Sequence, residues 1–336
     1  MQLINKKVLV IGLGSIGERH VRNLKKLGCI SIYVLRRKNT KPRTINFEDY
    51  NCVFSIDEAI SNKIDAAIIA SPSNNHTEQL NILVNNKIPV LIEVPISNKI
   101  DSLKKINDQA ELNKVPILVG HNIKYHPSLK KIYDLVKSNK IGKIHYSRSQ
   151  FGEYLPDCHP WQDYKKRYEA RKDLGGGVIL TSIHEIDHAI WLQGKVEYVT
   201  CISRTLKLDI DVEDTAIIVM EHEDGSLSEV SLDFIQRIYS RSLQICASDG
   251  TLEWELKTNK LKLYDIEAKK WNDLTNDKDY DFNNTYINEL VNFSDIIFEG
   301  SKPVTDLRHS IHVLNVALSA VKSSHEKKTI KINKEE

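Results

Sequence analysis

The stretch KVLVIGLGSIGERH, residues 7–20, decides the fold. Four apolar residues, Val8 to Ile11, run into Gly12, Gly14 and Gly17, spaced G-x-G-x-x-G, and a helical pattern opens behind them. The glycine hexad is common by itself; a strand before it and a helix after it give it meaning. In that context Gly12 permits a tight turn, Gly14 lets backbone approach a pyrophosphate, and Gly17 allows close helix–strand packing. Ser15 and Ile16 complete the loop, and the helix N-terminal amides there suit phosphate charge.

Further apolar runs follow at SIYVLR (31–36), DAAIIAS (65–71), PVLIEVP (89–95) and PILVGHN (116–122). They are apolar on both faces, and helical segments such as NNHTEQLNILVNN separate them. Residues 1–122 therefore read as a doubly wound α/β domain with a parallel sheet. An NAD site usually has an acid about 20 residues past the glycines, on the ribose hydroxyls. Here the second strand ends in Arg36 and Arg37, whose guanidinium forks suit a 2′-phosphate, so NADP is the expected cofactor and NAD the alternative.

After residue 122 the pattern changes. A helix near 126–138, a long strand GKIHYSRSQFGEYL, and a glycine-led helix over 177–192 are expected. A run of strands over 195–274 carries turn signals at 224–226 and 249–250, the mark of a mostly antiparallel open sheet. Helices near 283–299 and 306–324 close the chain, and its Lys/Glu-rich end reads as a frayed tail. The second domain is thus placed at 123–330, with helix 306–324 a candidate to pack back on the first.

Lys+Arg 47 against Asp+Glu 45 argues against nucleic acid as a partner. Five scattered cysteines with no Cys-x-x-Cys fit free thiols in a reducing compartment. A strand starts almost at the N-terminus, which leaves no room for a signal peptide, and no apolar run reaches the ~18 residues of a membrane span. A cytoplasmic protein is expected.

His184-Glu185-Ile186-Asp187-His188 spells H-E-x-x-H, the pattern of a zinc hydrolase. A third ligand would have to come from a segment that reads as strands, so no metal is expected. Ile179, Ile183, Ile186 and Ile190 form a core stripe on that helix, and Thr181, His184 and His188 fall on a polar face suited to a cleft. The three glycines of LGGGV before the helix suggest close approach of a ligand. Downstream of the long strand, DYKKRYEARK offers Lys166, Arg167, Arg171 and Lys172 to an anionic sugar or sugar nucleotide.

Taken in order, VIGLGSIGERH, IIASPSNNH, VLIEVPIS, VGHNIKYHP, LGGGVILTSIHEIDHAIWL and PVTDLRHSIHVLNVALSA resemble the Gfo/Idh/MocA family, the glucose–fructose oxidoreductase and inositol dehydrogenase relatives. PDCHPWQDYKKRYEARKDLGGG further resembles a branch linked to sugar metabolism for bacterial surface polysaccharides. The resemblance implies a Rossmann domain followed by an α/β domain for substrate binding and oligomerisation, as a homo-dimer or homo-tetramer. It implies hydride transfer between a nicotinamide and a secondary alcohol or ketone of a sugar. Ser71, Pro72 and His76 then match the loop bordering the nicotinamide, and Glu93 and Pro95 match the outer members of the family's Glu-Lys-Pro motif. Lys124 stands where the family often has a basic residue, and His184 matches the histidine that handles the substrate-oxygen proton.

Two departures stand out. The family's lysine is Val94 here, and the acid shortly before the histidine is absent, Leu180 and Thr181 being at the candidate positions. A positioned acid–base group contributes ~10²–10⁴-fold in rate. Lys124, Tyr164, Lys165 and His184 are candidate replacements, with Arg171 and Thr181 added as substrate contacts. Three readings remain: a sugar oxidoreductase with an altered acid–base site, a non-catalytic nucleotide-binding relative, and the zinc hydrolase.

Overall fold

The computed structural model describes residues 2–38, 41–275 and 279–333. Its strands are β1 Lys7–Ile11, β2 Ser31–Leu35, β3 Asn51–Val53, β4 Ala66–Ile69, β5 Val90–Glu93 and β6 Ile117–Gly120. Then come β7 Ile144–Tyr154, β8 Val196–Arg204, β9 Thr215–His222, β10 Leu227–Asp233 and β11 Ile235–Ala247. β12 Gly250–Glu255, β13 Lys260–Asp265, β14 Lys270–Asp273 and β15 Ile330–Lys331 complete the set. The helices are α1 Ser15–Lys26, α2 Ile56–Ser61, α3 His76–Asn85, α4 Leu103–Asn113 and α5 Pro127–Lys137. α6 Leu155–Cys158, α7 Val178–Thr181, α8 His184–Gln193, α9 Asn283–Glu299 and α10 Leu307–Glu326 follow.

The chain divides into two compact units, Met1–Tyr125 with Phe282–Ile311, and His126–Asp281 with His312–Glu336. The first holds a parallel sheet in the order β3-β2-β1-β4-β5-β6. β1 is central because Val8 to Ile11 are buried on both faces, as a strand covered by two helical layers must be. The order reverses between β1 and β4, the switch point at which such sheets leave a crevice beyond their carboxyl ends. β3, only three residues long, adds a strand that the sequence pattern does not announce.

A single boundary at 122/123 does not describe the division. Leu290, Phe293 and Ile296 of α9 belong to one core with Val21 and Leu24 of α1 and with Leu3, so Phe282–Ile311 returns to the first unit. Of the expected closing helix, only the part of α10 up to Ile311 lies in that unit.

The second unit holds a nine-stranded sheet, β14-β13-β12-β11-β7-β10-β9-β8-β15. Every neighbouring pair is antiparallel except β10 with β7. β9 alternates strictly, with Ala216, Ile218 and Met220 buried and Ile217 and Val219 outward, the signature of a sheet with one packed face. The chain end is not wholly frayed: β15 pairs with β8, while residues 334–336 lie outside the described residues.

The expected helix over 177–192 is broken. Thr181 donates both its amide and its hydroxyl to the Gly177 carbonyl, at 3.0 and 2.8 Å, closing one turn. The chain leaves helical geometry at Ser182 (φ −108°, ψ 34°), and His184 opens the new helix α8.

Candidate functional site

In the first unit, the loop from β1 to α1 is built by mutual contact of two glycines. Gly12 has φ +101°, and a Cβ there would stand 2.7 Å from the Ala70 carbonyl oxygen on β4's side. A Cβ on Gly17 would lie 2.1 Å from the Gly12 oxygen, so both must be glycine for α1 to start so close to the sheet. Gly14 differs: a Cβ there meets nothing within 4 Å, and as N-cap it offers no side chain to the first amides of α1. Uncapped amides beside open space, with Gly14 and Ser15 exposed, fit a dinucleotide pyrophosphate.

Glu93, Val94 and Pro95 end β5 two strands away from β1, joined by a cis Val94–Pro95 peptide. Val94 is half-buried. His76 braces this turn from below: its Nε2 lies 2.7 Å from the Ser71 oxygen and its Nδ1 2.9 Å from the Pro95 oxygen. Burial lowers its pKa against the opposing pull of those two carbonyls. His76 is thus buried scaffolding for the loop, while Ser71 and Pro72 are half-buried, with the Ser71 hydroxyl on Gln79 at 2.7 Å.

Glu93 makes contacts that sequence reasoning missed. Its Oε1 lies 2.5 Å from Nε2 of His20 on α1. Gly120, opposite it in register on β6, leaves the room its carboxylate occupies, since a Cβ there would stand 3.0 Å from Oε2. A third group, Glu289 of α9, brings an oxygen within 4.8 Å of both. His20 was within the quoted GSIGERH motif; Glu289, 196 positions after Glu93, carried no local signal.

The cationic candidates are less open than expected. Lys124 is only 3% exposed; its ammonium donates to Thr305 Oγ1 at 3.1 Å and lies 3.4 Å from Nε2 of His309. Arg36 donates to the carbonyls of Arg37 and Lys38 at 3.2 and 3.1 Å and lies over the ring of Phe47. Arg37 is exposed. Glu18 of α1, another residue the sequence did not single out, accepts from the amides of Arg43 and Thr44 at 2.8 Å each and ties that basic loop to the helix.

In the second unit, His184 and Thr181 are half-buried, but His188 is buried, so the proposed polar face does not extend to it. Glu185 is fully buried and forms an ion pair with Arg241 of β11 at 2.7 Å. Burial pushes the Glu185 carboxyl up to about 7, with Arg241 opposing. The Arg241 guanidinium also lies 4.6 Å from the centre of the Phe151 ring. This pair fixes the first turn of α8, directly beside His184. A carboxylate committed to Arg241 is not the free base that a zinc hydrolase needs.

The glycines before α7 serve the protein's own packing. A Cβ on Gly176 would meet the carbonyl oxygens of Tyr168 and Glu169 at 2.4 and 2.6 Å, and one on Gly177 the Glu213 carboxylate at 2.4 Å. The expected ligand approach there is replaced by chain and carboxylate. Among the neighbouring cations, Lys165 pairs with Asp209 and Arg171 with Asp173, both on the surface, and buried Arg167 pairs with Glu169. Tyr164 is half-buried and begins a short 3-10 turn, and Lys166 and Lys172 are exposed.

Residues 6–121 match the family model described as "Oxidoreductase family, NAD-binding Rossmann fold", and residues 129–253 match "GFO/IDH/MocA C-terminal domain". The chain is 22% identical to myo-inositol 2-dehydrogenase of Thermotoga maritima over 97% of this chain and 98% of that protein. It is 25% identical to the rhizopine catabolism protein MocA of Rhizobium meliloti over 55% of this chain and 56% of that one. Among solved structures it is similar to levoglucosan dehydrogenase in complex with NADH and levoglucosan, at TM-score 0.88 and 15% identity, covering 98% and 100% of the two chains. GenD2 from gentamicin A biosynthesis, in complex with NAD, is similar at TM-score 0.82 and 18% identity over 98% and 97%. At those identities the structural likeness speaks for the fold.

Proposed function

The chain belongs to the Gfo/Idh/MocA family of NAD-binding oxidoreductases, and from this premise we propose that it interconverts a secondary alcohol and a ketone of a sugar or sugar nucleotide. The observation that carries the reading is the glycine loop at the reversal of the parallel sheet, with uncapped amides facing open space. A bound nicotinamide supplies the hydride chemistry. The protein's part is to hold the dinucleotide on Gly12, Gly14, Ser15, Ile16 and Gly17, and to move a proton at the substrate oxygen through His184. Glu185 and Arg241 keep the start of α8, and so the His184 imidazole, in place. Thr181, Tyr164, Lys165, Arg171 and Lys124 are the candidate substrate contacts; Lys165 and Arg171 would have to exchange Asp209 and Asp173 for an anionic ligand.

NADP is our preferred cofactor, because exposed Arg37 and Lys38 follow β2 where an NAD site usually has an acid. A cytoplasmic homo-oligomer is proposed with it; no helix among the described residues is long and apolar enough to cross a membrane. Thermal unfolding with NADP, NAD and a panel of sugar nucleotides tests these points, since a ligand that binds the folded state stabilises it. A larger shift with NADP, followed by turnover on a panel member, supports the reading; no shift with either dinucleotide overturns it. Val94 favours a second reading, a nucleotide-binding relative without turnover, for which cofactor binding survives and no sugar reacts.

A further inference from the structure

The end of β5 carries a group of side chains that the reaction so far leaves unused. His20 and Glu289 are fully buried, and the Glu93 side chain keeps 13% of its surface exposed. One ligating atom from each lies within 4.8 Å of the other two. His20 Nε2 is already engaged with Glu93 Oε1 at 2.5 Å. Glu289 is different: both its oxygens lack a hydrogen-bond partner among the described residues, and it is aimed at Glu93. The titratable groups facing it are Glu93 from β5, His20 from α1 and Tyr125 from the turn after β6. Tyr125 donates to Asn292 at 2.8 Å.

Two carboxyl groups this close, one of them fully buried, do not both ionise readily; a proton held between them is the ordinary resolution. Burial, and then the charge of Glu93, hold the Glu289 carboxyl well above the usual range. A neutral Glu289 can donate to Glu93, which gives the buried acid the partner it otherwise lacks.

We propose that Glu93 and Glu289 share one proton, and that this pair, closed on its other side by His20, handles the substrate-oxygen proton in place of the amine that Val94 lacks. The proposal rests on the oxidoreductase reading above. In the reductive direction the carbonyl carbon accepts a hydride, with its electron pair, from reduced nicotinamide. The carbonyl π electrons move to oxygen, and that oxygen takes the shared proton through Glu93, the partly exposed member. The ketone is reduced to the alcohol, the nicotinamide is oxidised, and the pair regains a proton from water. Glu93 is the proposed proton donor in this direction, which leaves His184 a hydrogen bond to the same oxygen in place of the proton transfer assigned to it above; Glu289 and His20 are positioning residues that act through Glu93.

The test has two independent readouts. Carboxyl-¹³C NMR of glutamate-labelled protein, without cofactor, should show, besides the raised Glu185 and Glu213, one further carboxyl still protonated at neutral pH, absent in Glu289→Gln and titrating at lower pH in Glu93→Gln. If every glutamate carboxyl except Glu185 and Glu213, which burial raises, titrates in the ordinary range, no proton is shared and the proposal fails. On a substrate turned over by the wild type, Glu289→Gln should lower kcat at least tenfold and change the alkaline limb of its pH profile, with dinucleotide affinity within twofold. Val94→Lys in the same protein should restore part of that loss, which a merely structural role for Glu289 would not allow. Unchanged kcat and pH profile in Glu289→Gln overturn the catalytic part. If that variant does not fold, the wild-type and Glu93→Gln titrations decide on the shared proton, and the kcat of Glu93→Gln decides on catalysis. A wild type that binds dinucleotide but turns over nothing sinks the oxidoreductase reading, and with it the catalytic role, while the NMR result still reports on the proton.

Discussion

Glu185 sits where a charge is costly, and its stability effect has a definite sign. Its carboxyl is raised from 4.5 to about 7, chiefly by burial, so the folded state binds a proton more tightly than the unfolded chain. The stabilisation is therefore complete below the unfolded value and is lost as pH rises toward 7. Glu185→Gln removes this dependence, and its stability relative to wild type should rise by about 3 kcal/mol between pH 4 and pH 8, read from urea unfolding at both. Truncating the partner is the harsher change: Arg241→Met leaves a buried carboxylate unpaired and should cost roughly 3–5 kcal/mol at pH 8, with a smaller loss at pH 5 where Glu185 takes a proton. Val94 allows a gain rather than a loss. Val94→Lys places an amine at the end of β5, and steady-state turnover of any accepted sugar should rise tenfold or more if proton transfer is limiting. The oddity of Val94 was readable in the sequence because its neighbours Glu93 and Pro95 frame it. The partners of Glu93 were not, since His20 and Glu289 meet it only through the parallel sheet and the returning helix α9.

At the scale of elements, the loop between β8 and β9 depends on one carboxylate. Burial alone would raise the pKa of Asp214, but the amides of Leu208, Leu206 and Lys207, at 2.8–2.9 Å, and the Thr215 hydroxyl hold it below the usual range. Its contribution is present above the unfolded pKa and fades as pH falls through the folded one. Asp214→Asn should cost about 1.5–3 kcal/mol at pH 7 and speed hydrogen exchange of the amides of residues 206–208. Strands with alternating or wholly apolar patterns were legible from their period, and so were the turns at 224–226 and 249–250. The break between α7 and α8 was not. Its cause is a one-turn closure of Thr181 on Gly177, and the isoleucine spacing on either side runs through it as though the helix were continuous. The glycines at 175–177 misled for a similar reason: periodicity cannot tell a ligand's backbone approach from the chain's own.

At the scale of the whole molecule, the outer face of the nine-stranded sheet exposes a run of apolar side chains. Ile202 and Ile217 are cross-strand partners, 64% and 51% exposed, and Val219 and Leu227 continue the face. Patches of this kind mark association surfaces, and a second copy of this chain is the proposed occupant. Sedimentation velocity should show a dimer or tetramer, and Ile217→Lys should shift it toward monomer with the dinucleotide site intact. The order of the motifs was enough to read the two architectures along the sequence. It could not reveal that α9, beyond the whole antiparallel sheet, closes the core of the first unit.

That return has a consequence during synthesis. Leu3, Val21 and Leu24 are translated long before Leu290, Phe293 and Ile296, which complete their core. At about 5–20 residues per second the wait between Leu24 and Leu290 is roughly 13–55 s. Throughout it, the nascent nucleotide-binding half presents an uncovered apolar seam, the kind of surface that chaperones bind, and a ribosome stalled after residue 281 would hold a chain that cannot bury it.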